Sequence, residues 1–254
     1  SEQTGVDDDR LATSLGNLAT TYAALGRHDD SAALYRRALV IRENLFGRDD
    51  PLVAATLSDL GETCRIMGHH PDAETFLLRS LVIREQTLGR GDPAVADSLG
   101  HLAALYRDQG RLEEALGAAE RVVTIREAAL APDDPLIASG LNELASVHRT
   151  RGDLETAGRM YRRALAAREM SLGPDHPEVA ITLNNLAALA RLQGQTRDAE
   201  IMLSRALDIQ QRALPDDHRD IAATLRNYAA VLRAIGRDSD AVLLDRLAEQ
   251  IEGG

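Results

Sequence analysis

The chain has 254 residues, of which 44% are hydrophobic and 27% are charged, and its formal net charge is -11. Because a nucleic-acid backbone is itself negatively charged, this balance argues against a nucleic-acid partner. All 29 of its Lys-plus-Arg residues are arginine and Cys64 is its single cysteine, which excludes lysine-dependent catalysis, an intrachain disulfide and a cysteine-based zinc site.

Six units follow one another at a constant offset of 42 residues. Residues 48–68 read RDDPLVAATLSDLGETCRIMG, and residues 90–110 read RGDPAVADSLGHLAALYRDQG. The units start at Val6, Arg48, Arg90, Pro132, Pro174 and Asp216. We therefore expect a single repeat array over residues 6–252, with residues 1–5 as an N-terminal extension and 253–254 as a tail.

Each unit opens with the signals of a helix start. Four copies place a proline directly after Asp50, Asp92, Asp134 or His176, and proline is favoured at the first helical position after a capping side chain. We expect the three aspartates to cap their helices. Where His176 stands at the cap position, we expect the neighbouring Asp175 to serve instead. Adjacent Asp and His side chains could also suggest acid–base catalysis. These helix-start signals, and not such chemistry, account for Asp175 and His176.

Within a unit, apolar residues recur at helical spacing, as Val179, Leu183, Leu186 and Ala190 do in the fifth. A glycine then ends this first helix in every copy, at Gly26, Gly68, Gly110, Gly152, Gly194 and Gly236. A second amphipathic run follows, so each unit is predicted to be a helical hairpin. Neither helix buries its apolar stripe alone, and the hairpins must therefore stack.

The pattern resembles the tetratricopeptide repeat family. In the fourth unit the matching residues are Leu144, Ala145, Gly152, Ala157, Tyr161 and Ala164, and the 42-residue period with LGPDHPEVAITLNNLA resembles the kinesin-light-chain variant. The resemblance implies an all-α, right-handed superhelix of six helical hairpins. It also implies that the first helices line a concave groove that captures peptides.

Two positions of this groove carry short polar groups. The Asn184 position reads Gly16, Ser58, Gly100, Asn142, Asn184 and Arg226, and the Asn185 position reads Asn17, Asp59, His101, Glu143, Asn185 and Asn227. We expect Asn17, Asp59, His101, Asn142, Asn184, Asn185 and Asn227 to contact a peptide backbone. Because few asparagines stand at the Asn184 position, the peptide motifs of kinesin light chains are not carried over.

A third position is basic in five units, at Arg65, Arg107, Arg149, Arg191 and Arg233. One interpretation is a ladder of guanidiniums that binds an acidic or phosphorylated peptide. The other is that a cation in the last turn stabilises the helix dipole by about 0.3–1 kcal/mol and is neutralised by neighbouring acids. Both interpretations remain open from the sequence.

The two ends of the array differ. Asp245 and Glu249 replace the apolar residues of the last second helix, which predicts a polar capping repeat. Leu11, Leu15 and Leu18 follow the N-terminus without such a cap, so we expect further protein upstream, in a longer chain. No apolar run reaches the length of a membrane span and no signal peptide is visible.

These features favour a non-enzymatic scaffold that binds a protein or peptide, without cofactor or metal. The alternative is a ligand-sensing regulatory domain of a larger switch protein, attached to an upstream ATPase or effector domain. The absence of lysine suggests a GC-rich bacterial gene, and the absence of a signal peptide predicts a cytoplasmic location.

Overall fold

The computed structural model describes residues 2–253, and the side chains of residues 8–253. This part of the chain forms twelve α-helices and no strand. They are α1 (Glu2–Ala24), α2 (His28–Phe46), α3 (Pro51–Ile66), α4 (His70–Thr87), α5 (Pro93–Asp108), α6 (Leu112–Ala129), α7 (Pro135–Arg151), α8 (Leu154–Leu172), α9 (Pro177–Leu192), α10 (Thr196–Ala213), α11 (Arg219–Ala234) and α12 (Asp238–Gly253). α1 begins inside the segment 1–5 that the sequence sets apart as an extension.

The chain divides into two compact units of three hairpins each, unit 1 (Ser1–Ala129) and unit 2 (Leu130–Gly254). In unit 1 the hairpins are α1–α2, α3–α4 and α5–α6, and α2 packs on α3 as α4 packs on α5. Unit 2 repeats this order, with hairpins α7–α8, α9–α10 and α11–α12 and with α8 on α9 and α10 on α11. The prediction of stacked helical hairpins is confirmed within each unit.

Aspartate side chains cap three of the first helices, as predicted. The carboxylates of Asp50, Asp92 and Asp134 each accept the backbone N–H two residues on, at 2.8 Å. The expectation for Asp175 is wrong, because His176 itself is the cap and its Nδ1 accepts the N–H of Glu178 at 3.2 Å. An unprotonated imidazole nitrogen is a hydrogen-bond acceptor, so the ring replaces the carboxylate directly.

The six glycines that end the first helices all have positive φ, between 74° and 88°, as predicted. At Gly152 the backbone is left-handed, and its N–H reaches the carbonyl of Arg149. A side chain there would find open space, so the requirement for glycine is conformational and not steric.

Small residues let the helices of a hairpin approach closely. Ala19, Ala103 and Ala187 are fully buried at equivalent positions of three first helices. Gly61 occupies this position in α3, and a Cβ there would lie 2.6 Å from Cγ of Leu77 on α4. Cys64 is also fully buried, and burial raises the pKa of its thiol, in keeping with its interpretation as a small core residue.

Arginines near the ends of the second helices join successive hairpins. Nη1 of Arg42 donates to Oγ1 of Thr56 at 2.6 Å, and Arg168 makes the same contact with Thr182 at 2.6 Å. Nη1 of Arg84 donates to Ser98 Oγ at 2.9 Å. Arg84 and Arg168 are 8% and 3% exposed, and burial lowers the pKa of each guanidinium. We call these three residues the joint arginines.

The last hairpin carries the acidic residues expected of a capping repeat. Asp245 lies half-buried on α12 and forms an ion pair with Arg233 of α11, and Glu249 is exposed. Glu252, one turn further on, pairs with Arg226. The carboxylates of α12 therefore also neutralise cations of the helix on which α12 packs.

Candidate peptide-binding surface

The predicted site residues lie on one face of the first helix of each hairpin. We call this the first-helix face; it comprises the residues at the Asn184, Asn185 and Arg191 positions of the six repeats. In unit 1 it is formed by α1, α3 and α5, and in unit 2 by α7, α9 and α11. Each unit therefore has a first-helix face of its own.

In unit 2, amide side chains are linked from one first helix to the next. Nδ2 of Asn185 donates to Oδ1 of Asn142 at 3.1 Å, and Nδ2 of Asn227 donates to Oδ1 of Asn184 at 2.8 Å. Nδ2 of Asn184 also lies 3.3 Å from Oγ1 of Thr224. Each primary amide can make about four hydrogen bonds, so donors and acceptors remain for a ligand.

The arginines of this face differ in their surroundings. Arg191 is exposed and forms no ion pair with a described residue. Arg149 is half-buried, and its Nε has no hydrogen-bond partner among the described residues. It lies beside Tyr161, where burial raises the pKa of the phenol and the arginine opposes that rise. Arg233, by contrast, is neutralised by Asp245.

In unit 1 the Asn185 position carries an ionisable group in two of the three first helices, Asp59 in α3 and His101 in α5. Ser58 Oγ and Nδ1 of His101 lie 3.0 Å apart, which is the same link between neighbouring first helices that the amides make in unit 2. Asp59 is solvent-accessible, yet surrounding protein reduces its hydration enough to raise the pKa of its carboxyl. The nearby charges of His101, Arg84 and Arg42 oppose this rise, and Asp97 adds to it.

The arginines of the unit 1 face are held by acids. Arg65 donates to both carboxylate oxygens of Glu62 at 2.7 and 2.8 Å and also pairs with Asp108. The hydrogen bonds to Glu62 are the largest cause of the raised pKa of Arg65. Arg107 lies 3.5 Å from the same Asp108 carboxylate. Internal pairing therefore satisfies much of the positive charge in unit 1.

One predicted residue stands apart from these links. Asn17 is exposed on α1, and its side chain forms no hydrogen bond with the described residues. The links join residues 43 apart, and position 17 has no counterpart 43 residues earlier in the sequence. The structure thus brings together Asn142 with Asn185 and Asn184 with Asn227, but leaves Asn17 outside these pairs.

Sequence reasoning missed the cross-helix pairing itself. The signal was available as an offset of one residue beyond the repeat period, since 58 and 101, 142 and 185, and 184 and 227 are each 43 apart. It also missed the joint arginines, although Arg42, Arg84 and Arg168 fall at multiples of 42. The periodic arginines of the second helices thus indicated a contact between hairpins, just as the periodic glycines indicated the end of each first helix.

Two other kinds of feature are absent from the described residues. No group of three or more His, Cys, Asp or Glu side chains there could hold a metal ion. None of the helices described combines the length and apolar character needed to cross a bilayer.

The sequence profile of the tetratricopeptide repeat matches residues 10–82, 70–128 and 136–212, which together exceed half of the chain. No curated protein sequence matches significantly. Among solved structures, BtubC (BKLC) from P. vanneervenii is 24% identical with a TM-score of 0.67, over 97% of this chain and 91% of its own. A kinesin-light-chain-like protein of Podosopora anserina with nearly identical TPR-like repeats is 24% identical with a TM-score of 0.63, over 80% and 96%.

A Rap protein complexed with competence and sporulation factor has a TM-score of 0.71 at 12% identity, over 94% of this chain and 74% of its own. At these identities the likeness establishes the fold alone. That fold is all-α and built from tetratricopeptide hairpins, which confirms the fold class expected from the sequence.

Proposed function

The chain belongs to the tetratricopeptide repeat family, and we propose that it is a non-enzymatic scaffold that binds a partner segment along its first-helix face. Repeat folds of this kind are suited to protein interaction because stacked hairpins present a long, regular surface. The main contact lies in unit 2. It rests on the linked asparagines, which share the first-helix face with Arg149 and Arg191.

The amide links support recognition of a peptide backbone. Hydrogen bonding between Asn142 and Asn185, and between Asn184 and Asn227, fixes the orientation of side chains that would otherwise be mobile. An ordered amide binds at a smaller entropic cost than a free one. Its remaining N–H and C=O groups match the alternating donors and acceptors of an extended chain.

The arginines support an acidic or phosphorylated partner. Arg191 forms no ion pair with a described residue, and Arg149 keeps a buried Nε without a hydrogen bond. A carboxylate or phosphate would satisfy both through bidentate contacts. Interactions between exposed charges fade beyond about 10 Å at 0.1 M salt, so these local cations can bind an anion despite the net charge of the chain.

The test is a titration of the protein with fluorescent peptides that are matched in length and are acidic, phosphorylated or neutral. We expect the acidic and phosphorylated peptides to bind and their affinity to fall as salt rises. The double variant Arg149→Ala/Arg191→Ala should lower that affinity at least tenfold. A neutral peptide that binds equally well, with no effect of the double variant, would contradict the proposal.

A matched control separates a local contact from loss of net charge. Arg162 on α8 and Arg197 on α10 are exposed residues of the second helices of unit 2. Arg162→Ala/Arg197→Ala removes the same charge away from the first-helix face. It should leave peptide affinity within about twofold, because single distant charges are largely screened.

A second candidate function is that of a ligand-sensing regulatory domain in a larger signalling protein. The likeness to a Rap protein complexed with competence and sporulation factor supports it. A sensor changes conformation when its ligand binds, whereas a scaffold need not. Small-angle scattering with and without a bound acidic peptide separates the two: an altered radius of gyration favours the sensor, and an unchanged one favours the scaffold.

A further inference from the structure

The outer side of α1 exposes two leucines whose equivalents in unit 1 are buried. Leu11 and Leu18 are 46% and 42% exposed, whereas Val53 and Leu60, which occupy the same repeat positions in α3, are both 0% exposed. The next copies, Val95 and Leu102 of α5, are 0% and 2% exposed. The apolar character of these positions is therefore kept in α1, but none of the described residues covers them as the equivalent positions of α3 and α5 are covered.

The second helix of the preceding hairpin provides that cover in the other copies. Tyr35 and Leu39 of α2 belong to the same core cluster as Val53 and Leu60 of α3. In unit 2 the equivalent residues of α8 do the same, since Tyr161 packs with Leu186 and Leu165 packs against Val179. The cover is thus a helix with apolar side chains at positions i and i+4.

The joint arginine is the polar part of the same contact. Arg84 donates to Ser98 Oγ at 2.9 Å and to the carbonyl of Ala94 at 2.6 Å, and it lies seven residues after the first apolar position, Leu77. Arg168 follows Tyr161 by seven residues and binds Thr182 Oγ1 at 2.6 Å and the carbonyl of Glu178 at 3.0 Å. The covering helix therefore carries apolar residues at i and i+4 and arginine at i+7.

α1 presents the receiving groups for such an arginine. Ser14 stands at the position of Ser98, and its Oγ donates to the carbonyl of Arg10 at 2.8 Å, as Thr56 donates to the carbonyl of Leu52 at 3.0 Å. Ser14 is exposed, and no guanidinium of the described residues binds it. We call Leu11, Ser14, Leu18 and the carbonyl of Arg10 the N-terminal stacking face.

We propose that the N-terminal stacking face binds a partner helix with an aromatic or aliphatic residue at i, an aliphatic residue at i+4 and arginine at i+7. The partner is not α12 of a second copy. At the equivalent positions α12 carries Asp245, Glu249 and Glu252, so docking would bury carboxylates against Leu11 and Leu18 and offer no cation to Ser14. This surface is separate from the first-helix face and does not depend on the proposed function.

The probe is a labelled synthetic peptide of residues 154–172, which carries Tyr161, Leu165 and Arg168 in the required order. Fluorescence anisotropy with the full chain should show saturable binding. Leu11→Asp/Leu18→Asp should weaken it at least tenfold, and Ser14→Ala or a peptide with Arg168→Gln should weaken it about fivefold. The substituted leucines are exposed, so circular dichroism should show an unchanged fold.

The control is Leu243→Asp, because Leu243 is 58% exposed on α12 and is not part of the N-terminal stacking face. It should bind the probe as the unaltered protein does. Absence of binding, or equal binding by Leu11→Asp/Leu18→Asp, would overturn the proposal. So would a dimer of the full chain that Leu11→Asp disrupts, because a second copy would then occupy the face. If neither Ser14→Ala nor the peptide substitution Arg168→Gln weakens binding, the proposed arginine contact is wrong.

Discussion

The first-helix faces of units 1 and 2 have the same repeat positions but different chemistry. In unit 2 the Asn185 position carries an amide in α9 and α11, at Asn185 and Asn227, and Arg191 has no described ion-pair partner. In unit 1 the same position carries ionisable groups in α3 and α5, Asp59 and His101, and Arg65 pairs with Glu62 and Asp108. Side chains at equivalent repeat positions therefore differ in how accessible they are to a ligand.

The difference arises from neighbours and not from backbone geometry. An arginine in the last turn of a first helix is free only when the preceding turn and the next first helix lack acids. Glu62 and Asp108 satisfy Arg65, whereas Ala188 and Ala234 stand at the positions that would supply acids to Arg191. The interpretation in which neighbouring acids neutralise the cation thus describes Arg65, and the ligand-binding interpretation stays a prediction for Arg191.

The joint arginines are the feature that the two units share, so their removal should damage both alike. We expect Arg168→Ala to destabilise unit 2 by about 3 kcal/mol, because it leaves buried partners such as Thr182 without a donor and breaks an ion pair with Glu178. Arg84→Ala should act similarly in unit 1. Hydrogen exchange should show lost protection in α9 for the first variant and in α5 for the second.

Arg162→Ala is the control on α8, because this arginine is exposed and should change stability by no more than about 0.5 kcal/mol. Equal stability of Arg168→Ala and Arg162→Ala would show that the joint arginine contributes nothing to the free energy of unfolding. Loss of protection spread evenly over both units would instead mean that the units do not unfold separately.

Replacement of a turn glycine should disturb the first-helix face only in the unit that contains it. Gly152→Val forces a β-branched residue to φ near 88° and should cost roughly 1–3 kcal/mol. Because the turn begins directly after the last turn of α7, Arg149 should be displaced and acidic-peptide binding should weaken. Thermal melting measures the first effect and anisotropy the second.

The matched control is Gly117→Val in α6, where φ is helical and the added side chain meets open space. An unchanged melting temperature for Gly152→Val would contradict the role assigned to the left-handed backbone.

The fold could be predicted from the sequence because each hairpin repeats the same local signals. Asp50, Gly152 and the apolar stripe of α9 depend on backbone conformation and helical period, which neighbouring residues in the chain determine. The cap at His176 was missed because aspartate is the commoner acceptor at a helix start. The pairing of Arg65 with Asp108 depends on contacts between residues 43 apart, which sequence periodicity suggests without deciding side-chain geometry.

Removal of the acids that hold Arg65 should make the face of unit 1 resemble that of unit 2. We expect Glu62→Gln/Asp108→Asn to raise affinity for an acidic peptide about fivefold, because the freed guanidinium gains an exposed ion pair worth up to about 1 kcal/mol. Anisotropy at low and high salt measures the gain, which should be lost at high salt.

The control variant Asp29→Asn/Glu120→Gln removes the same charge from exposed positions on second helices of unit 1. If it raises affinity as much as Glu62→Gln/Asp108→Asn does, net charge and not release of Arg65 is responsible, and the distinction between the two faces is weakened.

The smallest expected effect concerns Asp59, where unit 2 has Asn185. Reduced hydration raises the pKa of the Asp59 carboxyl in the folded chain, so the folded form binds its proton more tightly than the unfolded form. Stability then falls as pH rises from the ordinary carboxyl range through the raised pKa.

Asp59→Asn does not titrate, so it should melt slightly higher than the unaltered protein at pH 7, on the order of 1 °C, and no higher at pH 3. The neighbouring His101, Arg84 and Arg42 oppose the rise in this pKa and keep the difference small. Asn185→Asp is the reciprocal change, and it should lower the melting temperature at pH 7. A melting difference that is the same at both pH values would show that ionisation of Asp59 does not distinguish the two faces.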